Sequence, residues 1–146
     1  MRVRLIIKGI VQGVGFRPFI YRIATANGLV GFVRNLGDAG VEVVVEDSRE
    51  SISRFMTQLQ MDRPSTSVIH QVDTTYPAET GEFREFQILE SNESRVHAGS
   101  VIPPDIAICE NCMRELRDRR NRRHDYFFIT CTDCGPRYTI IDALPY

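Results

Sequence analysis

The residues best placed to do chemistry fall in two groups. Near the start of the chain, Gly9-Ile10-Val11-Gln12-Gly13-Val14-Gly15-Phe16-Arg17 joins a stretch of alternating apolar residues to an amphipathic one. Its glycines let the backbone turn tightly and approach a ligand without a Cβ in the way. With a helix opening at Phe16-Arg17-Pro18, the N–H groups from about Gly13 to Phe16 can converge on an oxyanion, helped by the helix dipole. Arg17 adds a planar, always-charged fork suited to two phosphate oxygens. The expected phosphate-binding set is Gln12, Gly13, Val14, Gly15, Phe16 and Arg17. A second piece is Asn35, at the end of the next strand, whose neutral amide can hold a water by donating and accepting hydrogen bonds. Positioning and charge stabilisation suffice for phosphoryl chemistry on an activated acyl phosphate, so no His, Cys or carboxylate nucleophile is required. The competing reading is a plain glycine turn with a surface arginine and an asparagine that caps a strand. The spacing is not G-x-G-x-x-G, so this is not a dinucleotide fingerprint.

The second group is four cysteines, all within the last 38 residues. Cys109-Glu110-Asn111-Cys112 and Cys131-Thr132-Asp133-Cys134 form two C-x2-C pairs with eighteen residues between them. Each turn points two thiolates at one centre, and two such turns complete a closed tetrahedral site, the pattern of structural zinc. Two disulfides would suit a secreted chain, but residues 1–108 are free of cysteine and no secretion signal precedes them. A redox C-x-x-C would need only one pair. Four sulfur ligands leave no open position for catalysis. His124 could replace a cysteine but nothing requires it, and His70 and His97 read as ordinary surface or half-buried residues. Between the pairs lie Arg114, Arg117, Arg119, Arg120, Arg122 and Arg123. They could contact RNA or a phosphate-bearing partner, but Glu115/Arg119 and Asp118/Arg122 at i, i+4 favour a solvated helix and loop. Tyr126-Phe127-Phe128 could be a stacking platform or the small core of the zinc unit.

The elements that must hold these residues are legible from periodicity. Val3, Leu5 and Ile7 alternate with polar neighbours, predicting a strand that runs to about Val11. Ile20, Ile23, Ala24 and Asn27 mark one face of a helix that stops at Gly28. Val30–Leu36 and Val41–Glu46 are two strands joined by Gly37-Asp38-Ala39-Gly40, a linker suited to a hairpin. Ile52, Phe55, Met56 and Leu59 fall at i, i+3, i+4 and i+7 of a second helix, with Ser48 or Asp47 as N-cap and Pro64 preventing continuation. Ser67–Asp73 and Phe83–Leu89 read as two more strands. The order predicts an α+β fold of ferredoxin-like, split βαβ type, with two helices on one face of a largely antiparallel sheet. A polar, proline-bearing stretch follows, so the chain divides into residues 1–91, a linker over 92–104, and a zinc unit over 105–146. Asn92-Glu93-Ser94 matches a glycosylation acceptor by chance.

Composition narrows the function classes. The chain has 146 residues, is 42% hydrophobic and 25% charged, and carries 18 basic against 19 acidic residues for a net charge of −1. That balance excludes a general electrostatic grip on nucleic acid or acidic lipid. No apolar run approaches the roughly 18–20 residues needed to span a bilayer, so a cytoplasmic protein with no membrane partner is expected. No G-x-x-x-x-G-K-[ST] loop offers a site for ATP.

Gly9–Arg17, followed by Gly31-Phe32-Val33-Arg34-Asn35, resembles the two signatures of the acylphosphatase family, and the element order agrees over residues 1–90. The resemblance implies that Arg17 binds the phosphoryl group and that Asn35 orients the attacking water. Joined to C-x2-C-x18-C-x2-C and Gly135-Pro136-Arg137-Tyr138-Thr139-Ile140-Ile141, the whole chain is similar to the start of the hydrogenase maturation carbamoyltransferase family, HypF. That resemblance implies carbamoyl phosphate as the ligand of the first domain and ATP only in later domains. It further implies a partner protein whose C-terminal cysteine receives the carbamoyl group, on the way to the cyanide ligands of [NiFe]-hydrogenase. On this reading the chain is an N-terminal fragment that hydrolyses carbamoyl phosphate but cannot complete the transfer alone. The alternatives are a free-standing acylphosphatase, against which residues 99–146 argue, and a zinc-dependent nucleic-acid binding module.

Overall fold

The computed structural model of the chain describes residues 1–90, 107–131 and 134–135. The predicted linker, His97 and the outer parts of the zinc unit lie outside the described residues. Strand β1 (Arg2–Ile10) leads into helix α1 (Phe16–Ala26) and strand β2 (Val30–Asn35). A single 3-10 turn over Gly37–Ala39 then connects to β3 (Val41–Glu46), followed by helix α2 (Arg49–Met61), β4 (Val68–Thr75) and β5 (Phe86–Ile88). A third helix, α3 (Glu110–Arg117), lies in the cysteine region.

The strands form one sheet in the order β4-β1-β3-β2-β5. The pairs β1–β3, β1–β4 and β2–β3 are antiparallel, and β5 joins β2 in parallel. The sheet is therefore largely antiparallel, as expected, and mixed only at the edge where β5 joins β2. The expected α+β architecture stands.

Alternation does the positioning. Val3, Leu5 and Ile7 of β1 and Val33 of β2 are buried beneath α1 and α2, whose inward faces carry Phe16, Phe19, Ile20, Ile23, Ile52, Phe55 and Leu59. Every residue of β3 is buried, so the central strand is covered on both faces. Its outward Glu42 is held by Arg4 Nε and Arg34 Nε, each at 2.6 Å. Ser48, not Asp47, caps α2, its side chain accepting the Ser51 N–H at 3.2 Å.

Register decides what meets at the top of the sheet. Ile7 of β1 lies opposite Val41 of β3, and Val41 lies opposite Asn35 of β2. The exit of β1 into the glycine loop and the end of β2 at Asn35 are thus brought to the same end of the fold.

Candidate functional site

Gly13 (φ 72°) and Gly15 (φ 67°) take left-handed backbone conformations that side chains with a Cβ disfavour. Gly15 is the N-cap of α1, no side chain caps that helix, and its first turn holds no acidic residue. The opening N–H groups are left to an external acceptor, at the positive end of the helix. Val14 and Phe16 are buried in the core and offer the loop only their backbone. Arg17 is half-buried and has no ion-pair or hydrogen-bond partner among the described residues. A cavity of about 320 Å³ opens here, lined by Gln12, Gly13, Gly15, Phe16 and Arg17. Pro18 also lines it, and its opposite wall is Thr130, Cys131 and Gly135 from the cysteine region.

The Gln12 side chain is a structural tie. Its Nε2 donates to the carbonyl oxygens of Gly37 at 2.6 Å and Gly40 at 3.3 Å, pinning the glycine loop to the turn that follows Asn35. Nothing in local spacing announces that bond, because it spans 25 residues of chain. Asn35 continues the inward row of Gly31 and Val33 and is only 9% exposed. Its Oδ1 is buried without a hydrogen-bond partner. An unsatisfied amide oxygen costs about 1–3 kcal/mol, which a bound water relieves. Asn35 stands at the same end of the sheet as the loop but is not among the residues lining the cavity.

The four cysteines come together as their spacing predicted. Cys109 is the N-cap of α3 and Cys112 lies within its first turn, while the Gly135 N–H donates to the Cys131 carbonyl at 2.9 Å and closes the second knuckle. Their sulfurs all lie within 4.8 Å of one another. The Cys109–Cys131, Cys112–Cys134 and Cys131–Cys134 Sγ separations are 3.6, 3.8 and 3.8 Å. Disulfides need about 2.05 Å and are excluded by these distances. A tetrahedral ion with bonds of about 2.3 Å sets its ligands about 3.8 Å apart, so the donor set fits a four-thiolate metal centre. Burial, reinforced by hydrogen bonds from the other cysteines, pushes Cys112 up; at Cys134 burial also pushes up, but backbone hydrogen bonds with Cys109 and Cys131 and side-chain hydrogen bonds with Thr130 and Cys112 together bring the thiol down to about 6. Cys112, Cys134 and Ile129 form a small core with Ile108 and Leu116 packed against it.

The expected ion pairs of the arginine-rich segment are not formed. Helix α3 ends at Arg117, so i, i+4 geometry does not reach Arg119 or Arg122. Glu115 instead binds Arg123 at 3.0 Å, and Asp118 accepts the Arg120 backbone N–H at 2.9 Å. Tyr126, Phe127 and Phe128 are exposed and contribute nothing to the small core. His124 faces Asp125 at 3.3 Å and is not part of the cysteine cluster, and His70 is exposed on β4.

A split βαβ sheet with a glycine loop at the head of α1, beside a four-cysteine finger, defines the class. Residues 3–88 match the acylphosphatase family, and residues 108–141 match the HypF finger. The chain belongs to the acylphosphatase family, and its finger ties it along its whole length to the HypF carbamoyltransferases. It is 45% identical over all 146 residues to the probable carbamoyltransferase HypF of Methanocaldococcus jannaschii, of which it spans 19%. The crystal structure of a full-length HypF in its phosphate- and nucleotide-bound form superposes with a TM-score of 0.83 at 38% identity, covering 99% of this chain and 19% of that one. The acylphosphatase of Deinococcus radiodurans is 42% identical over 88 residues, which are 60% of this chain and 99% of the relative. Among the described residues no helix is long and apolar enough to cross a membrane.

Proposed function

We propose that the chain is an acyl-phosphate hydrolase module whose substrate is carbamoyl phosphate, working within a carbamoyltransferase of [NiFe]-hydrogenase maturation. The observation that carries this reading is the uncapped, glycine-built loop at the head of α1 beside the unpartnered Arg17. In this scheme the N–H groups of the Gln12–Phe16 loop receive the phosphoryl oxygens, and the Arg17 fork neutralises the charge that builds on them. Asn35 holds the water: its buried, unpartnered Oδ1 accepts one water proton and aims the oxygen at phosphorus. The water oxygen bonds to phosphorus and the P–O bond to the carbamoyl group breaks. Carbamate leaves with the bonding pair, and the water proton passes to a phosphoryl oxygen. No protein nucleophile is consumed.

The four cysteines hold zinc in this reading, and the ion supplies cross-linking and charge neutralisation rather than reactivity. With four thiolates it carries about −2, which the nearby arginines screen. Cysteines gathered as metal ligands rather than joined in disulfides suit a reducing compartment, so the reading places the protein in the cytoplasm. The chain spans about a fifth of the HypF relatives it matches. ATP-dependent transfer of the carbamoyl group to a partner's C-terminal cysteine is accordingly assigned to domains beyond this one. The test is release of inorganic phosphate from carbamoyl phosphate by the purified chain. Turnover that requires Arg17 and Asn35 supports the reading, and turnover unaffected by both substitutions refutes it.

A further inference from the structure

The opposite wall of the loop cavity comes from the cysteine region, not from the acylphosphatase fold. Thr130, Cys131 and Gly135 line the same cavity as Gln12, Gly13 and Arg17. The approach is close: a Cβ on Gly135 would overlap the Gly13 carbonyl oxygen and lie 3.3 Å from the Val14 nitrogen. Gly135 also has φ +70°, so both its backbone and its lack of a side chain are what the contact needs. The knuckle is internally braced. Gly135 N–H binds the Cys131 carbonyl at 2.9 Å, the Thr130 hydroxyl donates to the Gly135 carbonyl, and Arg123 Nη1 reaches the Thr130 carbonyl at 3.4 Å.

From this geometry we infer that the second cysteine knuckle is a built wall of the phosphate-loop site, so that metal loading of the four cysteines completes the anion pocket. The inference rests on the reading of the loop as an anion site and of the cysteines as a metal centre. Metal on the four cysteines would tie Cys131 and Cys134 to Cys109 and Cys112 on α3; without it the knuckle keeps its local bracing but loses the cross-link that fixes it to the helix. When the knuckle is in place it excludes water from one side of the cavity and presses on the backbone that carries the Gly13 and Val14 N–H groups. When it is released, the loop is open on that side. Thermodynamic reciprocity then requires that an anion in the loop tighten metal binding by the same factor. The negative charge of a four-thiolate centre opposes this coupling, which is carried by the direct backbone packing of Gly135 on Gly13.

The test titrates inorganic phosphate into the full chain, zinc-loaded and after chelation, and follows backbone amide shifts. Zinc loading should tighten the phosphate dissociation constant by about fivefold or more, with the largest shifts at Gly13–Arg17. A zinc competition titration should show the same factor when saturating phosphate is added. Gly135→Ala in the zinc-loaded chain should weaken phosphate to the level of the chelated chain. Gly28→Ala, with φ +71° and open space where its Cβ would lie, controls for the backbone conformation alone and should leave phosphate binding unchanged. Equal or tighter phosphate binding in the chelated chain overturns the coupling while leaving the anion site intact. Phosphate binding by neither form overturns the anion site itself, and the inference with it.

Discussion

Replacing Arg17 by alanine separates function from stability in a way few substitutions can. Arg17 is the second residue of α1, half-buried, with no partner among the described residues. A cation in the first turn of a helix is disfavoured by about 0.3–1 kcal/mol because it faces the positive end of the dipole. The folded chain therefore gains nothing from this charge, and Arg17→Ala should unfold at the same denaturant concentration or a slightly higher one. Against a phosphoryl group the sign reverses. Opposite unit charges about 4 Å apart at an effective dielectric near 20 attract by about 4 kcal/mol. Loss of one donor dedicated to the charge of the transition state costs about 2.7–4 kcal/mol, or roughly 10²–10³-fold in rate. Arg17→Ala should thus lose at least about 10²-fold in kcat/KM on carbamoyl or acetyl phosphate while its stability holds. Arg17→Lys should fall between, keeping the charge but not the two-pronged donor geometry. The assay is phosphate release beside a urea melt of each variant. Unchanged turnover in Arg17→Ala, or a loss of turnover matched by a loss of stability, would refute the reasoning.

Three further outcomes follow from the same geometry. Asn35→Ala should lower kcat far more than it changes KM, since orientation of water matters in the transition state and little in substrate binding; a pure KM effect in steady-state kinetics would show the role is wrong. Metal analysis should find one zinc per chain, and chelation should unfold the cysteine region while leaving the sheet of residues 1–90 folded and hydrolysing, with the phosphate affinity weakened, as circular dichroism and phosphate release would report; complete loss of hydrolysis with that sheet intact would contradict a structural role. Incubation with ATP, labelled carbamoyl phosphate and a maturation partner should release phosphate without consuming ATP and without labelling a partner thiol. A labelled thiol would place the transfer chemistry inside these residues.

What could be read from the sequence was local, and what could not was tertiary. The buried alternation of Val3, Leu5 and Ile7 and the inward stripe of Ile52, Phe55 and Leu59 repeat at the periods that define a strand and a helix. Strand β4 is an edge strand, largely exposed, so hydrophobicity could not fix its ends, and it runs two residues past the expected stop at Asp73. Strand β5 shrinks to three residues because only Phe86–Ile88 find partners, through a parallel pairing with Gly31–Val33 far away in the chain. The same distinction governs the site. Glycines 13 and 15, Arg17, Asn35 and the cysteine spacing are visible as residue types at given intervals. The Gln12 tie to Gly37 and the packing of Gly135 on Gly13 join residues remote in sequence, and neither leaves a mark in local pattern. Arg123 pairs with Glu115 because α3 stops early, a boundary that propensity did not reveal.

The most direct test of the anion loop is a crystal of the zinc-loaded chain grown with inorganic phosphate. The account predicts one phosphate bound by the N–H groups of the Gln12–Phe16 loop and by both terminal nitrogens of Arg17, within hydrogen-bonding reach of a water on Asn35. A loop that stays empty while phosphate gathers on the arginines between the cysteine pairs would contradict it.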